Sequence, residues 1–208
     1  LMLYYKKLKT PKGKDVGRPK KYNHEEVLKQ AMLQFWRDGY AETSLSDLEE
    51  ATGVNRYSLY KGFGDKEKLF ELSLKHYYQH IIELMLAPLV KPSPNLKHLK
   101  DFFLQLNALL KGKYGEYGCL IQNSQKEGIN QNKLVKHHGN QLWSTQYSLM
   151  LACLDSPNCT LPYSKEIGTQ LLLAQFHTQI SLARSHAPHK VLDGQYKAVL
   201  ALISSWGK

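Results

Sequence analysis

Apolar residues recur along this chain with a helical period, and no alternating run of useful length marks a strand. Val27, Ala31 and Phe35 form an i, i+4 row with Leu28 and Trp36 beside it, which predicts a helix over 24–38 ended by Gly39. Ser44, with Asp47 three residues on, reads as the capping-box start of a short helix that points Leu45, Leu48 and Ala51 inward and stops at Gly53. Asn55 is a suitable cap for a second short helix from Arg56 through Tyr60, which Gly62-Phe63-Gly64 breaks. Asp65 then caps a long helix with Leu69, Leu72, Leu74, Ile81 and Leu84, running rigidly to about Met85, just before Pro88.

The remaining two thirds predict a helical bundle. Leu96, Leu99, Phe102, Phe103, Leu106 and Leu110 place a helix over 95–111, and Gly112, Gly115 and Gly118 predict a loose link after it. A short helix over 119–127 and a long one over 132–154 follow, and Pro157 and Pro162 then interrupt before helices over 164–184 and 193–206. In 164–184, Ile167, Leu171 and Ala174 make one apolar stripe and Leu172, Phe176 and Ile180 another. In 193–206, Tyr196, Val199, Leu200 and Ile203 form a face that Ala198, Ala201 and Leu202 widen. Helices apolar on more than one face need partners on two sides, so a homodimer through a four-helix interface of 164–184 and 193–206 is expected; a fully buried core pair is the competing reading. Phe102, Phe103, Asn107, Gln122, Trp143, Tyr147, Phe176 and His177 mix aromatic surface with polar heads, as a small-molecule site between helices would; the same spacing also suits ordinary core.

Charge sharpens the picture. The 208 residues carry a net charge of +10, unevenly spread: +7 over 1–22, −4 over 23–72 and +7 over 73–208. The first segment, with Pro19, Gly13 and Gly17 among its lysines, reads as a flexible arm, either solubilising or in contact with an anionic polymer. No run approaches the roughly 18 apolar residues of a membrane span, and the opening five residues are too short for a signal peptide. Cys119, Cys153 and Cys159 form no C-x-x-C pair, which argues against a disulfide framework or thiolate metal site and suits a reduced cytoplasmic home. Phosphate-loop, H-E-x-x-H and G-x-S-x-G signatures are absent, and the nine histidines lack ligand spacing; no enzyme activity, metal or cofactor is expected.

Two short helices joined at a glycine, anchored by Leu48, Val54 and Leu59, outline a helix-turn-helix, although an ordinary helical hairpin meets the same spacing. Its second helix would present Asn55, Arg56, Tyr57 and Ser58 at its N-terminal end. Arg pairs with guanine, Asn with adenine, and a tyrosine ring packs on a thymine methyl. Tyr60 and Lys61 suit phosphates. Lys66 opposes the dipole of its helix unless a phosphate shares that N-terminus, and Tyr60 could equally be core.

Residues 43–69, above all the Leu-Tyr-x-x-Phe-Gly-x-Lys-x-x-Leu stretch from Leu59 to Leu69, resemble the DNA-binding signature of the tetracycline-repressor (TetR-type) family. Gly17-Arg18-Pro19 resembles the arm that precedes that family's first helix, and the likeness spans about residues 17–75. Gly118 to Ser124 is similar to a Gly-Cys-Leu-x-x-Asn segment of one branch. Glu49 and Thr52 depart from the small or apolar residues usual there, which puts the tightness of the helix packing in question.

The resemblance implies an all-α protein with three parts: an arm over 1–21, a three-helix DNA-binding domain over 22–70, and a ligand-binding and dimerisation domain over 71–208. It implies a repressor that binds a palindromic operator as a homodimer and is released by a small hydrophobic or amphipathic effector. The expected DNA contacts are Arg18, Lys20, Lys21, Thr43, Ser44, Asn55, Arg56, Tyr57, Ser58, Tyr60, Lys61 and Lys66. A constitutive or architectural DNA-binding protein without effector is the alternative, and a helical enzyme a more distant one.

Overall fold

The computed structural model describes residues 22–127 and 133–207, so the arm lies outside the described residues. The described residues form the helices α1 (His24–Asp38), α2 (Leu45–Thr52), α3 (Arg56–Phe63), α4 (Lys66–Tyr77), α5 (Glu83–Leu86), α6 (Leu96–Leu110), α7 (Leu120–Lys126), α8 (Lys133–Leu154), α9 (Lys165–Arg184) and α10 (His189–Ser205). The starts are set by local chemistry. Asn23, Ser44, Asn55, Asp65, Asn95 and Ser164 each accept, through the side chain, a backbone N–H of the first turn they precede.

α1 is the hub of the first unit, packed between α2 and α4. Its fully buried Phe35 meets Phe70 of α4 edge-on at 5.1 Å. α4 then carries the chain into the bundle. The expected single rigid helix over 65–85 is interrupted by a π-helical turn, Tyr78–Ile82, where the Glu83 N–H donates to the Tyr78 carbonyl five residues back. The inserted residue widens the buried face, so neighbours are buried in pairs: Tyr77 with Tyr78, Ile81 with Ile82, Met85 with Leu86. Hydrophobic spacing carries no mark of it, because this stretch is apolar on adjacent positions.

In the bundle α6 packs against α10, α8 and α9, with Phe102 in ring contact with both Phe103 and Phe176. The glycine link is tight rather than loose. A 3-10 turn, Gly115–Tyr117, presses Tyr114 and Tyr117 onto Trp36, whose indole N–H donates to the Gly118 carbonyl at 3.1 Å. α10 begins at His189, four residues ahead of the expected start, because Pro188 at its N-cap has the backbone angle a helix entry needs. Asp193, expected to open that helix, is ion-paired to Lys111 at 2.8 Å and accepts from the Asn107 amide at 3.1 Å. Of the two stripes of α9, Leu172, Phe176 and Ile180 are buried, while Ile167 is 51% and Leu171 39% exposed. The pair is therefore not enclosed within one copy of the described chain.

Candidate nucleic-acid interface

α2 and α3 are locked to each other by side-chain bonds to backbone. The Ser44 N–H donates to Asp47 Oδ2 at 2.7 Å and the Asp47 N–H to Ser44 Oγ at 3.2 Å, the reciprocal box expected. Asn55 Oδ1 accepts the Ser58 N–H at 2.9 Å, which commits its acceptor to the fold. Glu49 reaches from the end of α2 to accept the Arg56 N–H at 2.5 Å, and the Thr52 hydroxyl donates to the Leu48 carbonyl at 2.6 Å while accepting from the Val54 N–H at 3.3 Å. The two residues that depart from the family pattern thus close the turn. Sequence spacing offers no sign of Glu49's part, since its partner lies seven residues on.

Leu59 and Phe63 anchor α3 in the core, one turn apart. The opposite face presents Arg56, Lys61 and Tyr57, the last 75% exposed, with Ser58 and Tyr60 half-buried beside them. The Arg56 guanidinium lies 5.4 Å from the Tyr60 ring centre and the Lys61 ammonium 6.0 Å from that of Tyr57. Both are i, i+4 pairs of the kind that steady an exposed helix face. Tyr22 packs across this helix: its hydroxyl donates to the Ser58 carbonyl at 3.0 Å, over Gly62, where any Cβ would collide with it. The chain that leads from residues 1–21 therefore joins the fold alongside α3. Arg18, Lys20 and Lys21 themselves lie outside the described residues.

Thr43 and Lys66, also expected contacts, have partners within the protein too. Thr43 is fully buried and its hydroxyl donates to the Gly39 carbonyl at 2.5 Å, so it ties a turn and does not reach the surface. The Lys66 ammonium stands 4.4 Å from the Tyr40 ring centre; burial lowers its pKa, opposed by the nearby carboxylates of Glu127, Asp47 and Glu42. These groups offset the helix dipole that a phosphate was expected to answer.

The eight residues read as a ligand site have different surroundings. Phe102, Phe103 and Phe176 are core, and Asn107 is buried against Asp193. Gln122 bonds His177 Nδ1 at 2.6 Å, with Trp143 lying 4.8 Å from that imidazole and half exposed, while Tyr147 packs partly buried against the core. Two open cavities, about 570 Å³ between α1, α2 and the Lys113–Tyr117 link and about 390 Å³ beside Pro188, are lined by none of these eight. Gln146 and Gln179, which the sequence reading passed over, are fully buried with no hydrogen-bond partner at any side-chain polar atom, as is His177 Nε2. Among the described residues no group of three His, Cys, Asp or Glu could hold a metal, and no helix is long and apolar enough to cross a membrane. Burial raises the thiol pKa of Cys119, and that of Cys153 to about 12.

A family model described as bacterial regulatory proteins, tetR family, matches residues 27–72, which run from α1 through the first half of α4. Over those residues the chain is similar to the tetR family. A tetR-family relative, the HTH-type transcriptional repressor ComR of Escherichia coli (strain K12), is 34% identical over 134 residues, covering 62% of this chain and 64% of the repressor. The match thus spans just under two thirds of that relative's length. Likeness to solved tetR-family structures extends through the bundle, as fold. A regulator from Agrobacterium tumefaciens has a TM-score of 0.75 at 17% identity, covering 89% of this chain and 97% of that one. A cysteine mutant of the tetR-family regulator CifR, complexed with 26-base-pair operator DNA, has a TM-score of 0.70 at 21% identity, covering 90% of this chain and 97% of that one. Regulators of the tetR family are not enzymes.

Proposed function

We propose that this chain is a cytoplasmic transcriptional repressor that reads a palindromic operator as a homodimer and is released by a small hydrophobic or amphipathic molecule. The exposed face of α3 carries the reading: Arg56, Tyr57 and Ser58 stand at the start of a helix whose other face is held in the core. The repressor ComR and the operator complex of CifR, whose fold this chain shares, support it. The proposed division is an arm over 1–21, a DNA-binding domain over 22–70 and a ligand-binding and dimerisation domain over 71–208.

Dimerisation is supported by the exposed Ile167, Leu171 and Ala174 of α9 beside Val191, Ala198 and Ala201 of α10, an apolar face continuous enough to need covering. A twofold contact there would make a four-helix interface and set two α3 helices about 34–36 Å apart, one turn of DNA. An effector is supported by the unpaired Gln146, Gln179 and His177 Nε2 on α8 and α9, since a buried polar group without a partner costs about 1–3 kcal/mol that a ligand would recover. The close ring packing of Phe102, Phe103 and Phe176 favours the second reading, a regulator that needs no effector.

Selection from random duplexes by the pure protein tests the main reading, with a palindrome as the expected product; enrichment of no sequence would defeat it. Titration with hydrophobic metabolites, with and without operator, separates the two readings: ligand and DNA should weaken each other equally.

A further inference from the structure

We propose that Glu127 is a positioning residue for DNA reading, with α7 serving as a strut between the bundle and the α1–α2 turn. The proposal rests on the DNA-binding reading above. Glu127, just past the end of α7, accepts both the Tyr40 N–H at 2.9 Å and the Ala41 N–H at 3.2 Å through one carboxylate oxygen. These are backbone donors beyond the end of α1, which have no helical partner of their own.

The turn is shaped for this contact. Gly39 has φ +88°, in the left-handed region, and a Cβ at that position would overlap the Glu127 carboxylate. What the carboxylate grips is tied in three directions. The Tyr40 ring packs on Phe70 at 4.7 Å and on Phe35 at 6.1 Å, and it seats the Lys66 ammonium at the first turn of α4. The Thr43 hydroxyl binds the Gly39 carbonyl at the approach to α2.

The other end of α7 is fixed to the bundle. Gln122 bonds His177 of α9, and the Asn123 amide donates to the Tyr117 carbonyl at 2.8 Å. Gln122 and Glu127 are separated by about 7.5 Å of helix, too short a rod to bend. Besides α4, which a π-helical turn interrupts, Trp36 of α1 ties the reading unit to the Gly118 carbonyl of the bundle. α7 adds an anchor at the α1–α2 turn, away from both, which fixes the unit's orientation, and its root lies on the helix carrying the exposed apolar strip. Displacement of His177 would therefore reach the α1–α2 turn without passing through α4.

The test compares the intact chain with Glu127→Ala and Glu127→Gln. Operators with the selected half-site spacing are set against ones lengthened by one base pair. Glu127→Ala should lower the preference for the selected spacing about tenfold, leaving half-site affinity and melting temperature unchanged. Glu127→Gln, which keeps an oxygen acceptor, should retain most of it. Without DNA, hydrogen exchange at the Tyr40 and Ala41 amides should accelerate about tenfold in Glu127→Ala. Unchanged exchange, or a spacing preference equal to that of the intact chain, overturns the strut. An intact chain that selects no duplex, with exchange still accelerated by the substitution, overturns the DNA reading while supporting the strut.

Discussion

Arg56 and Tyr57 are held by the backbone around them, their side chains left to the solvent side of α3. Replacing either with Ala should cost about 1–3 kcal/mol of preference for the selected operator and little non-specific affinity, measured by competition against random duplex. Equal preference in both variants would remove α3 as the reader. His76 behaves differently. Its pKa is pushed down to about 4, first by burial and then by His80 and Lys29 nearby. An unfolded chain takes up that proton at about pH 6.5, before the folded one does. Stability from this group is complete above that pH, falls as the pH drops towards about 4, and levels below it. Urea melts across this range should show the midpoint of the intact protein falling more steeply than that of His76→Gln; parallel curves would assign the loss elsewhere.

Among the elements, those with local signals were legible in the sequence. Ser44, Asn55 and Asp65 cap where expected because a cap acts within three residues of itself. Features that depend on distant neighbours were not. The Glu127 contact joins residues 86 and 87 apart, the π-helical turn falls where apolar residues come in adjacent pairs, and the first turn of α10, His189–Leu192, is half polar and too short to show a helical period by itself. Thr43 was expected among the DNA contacts and is buried, its hydroxyl donating to the Gly39 carbonyl four residues back. The exposed face of α3 was legible from its caps and apolar anchors, whereas in the bundle aromatic spacing does not separate core from cavity. The double apolar face of α9 leads to a further prediction. Leu171→Glu, placing a charge in the exposed strip, should weaken self-association roughly a hundredfold, about 3 kcal/mol, as read by sedimentation equilibrium. An unshifted equilibrium would move the interface to another face.

For the whole molecule, charge and rigidity act together. Residues 23–72 carry −4 overall, so attraction to a polyanion has to come from placement of Arg56 and Lys61 on α3, and from the eight basic residues in the sequence of 1–21. With about four phosphates neutralised per half-site, log affinity of a dimer should fall with log salt with a slope of roughly −7. Deleting 1–20 should make that slope shallower, and an unchanged slope would show the arm inert. The seam between reading unit and bundle also carries its own lamp. Trp36 belongs to α1, yet its indole N–H is held by the Gly118 carbonyl of the bundle, among Tyr77, Tyr114 and Tyr117. Indole emission moves to longer wavelength when water replaces such surroundings. Of the three tryptophans, Trp206 is buried at the far end and Trp143 is half exposed, so a Trp143→Phe chain would glow chiefly from shielded sites. Its colour would then report the opening of the seam in real time, without a label, as DNA or a small molecule is added.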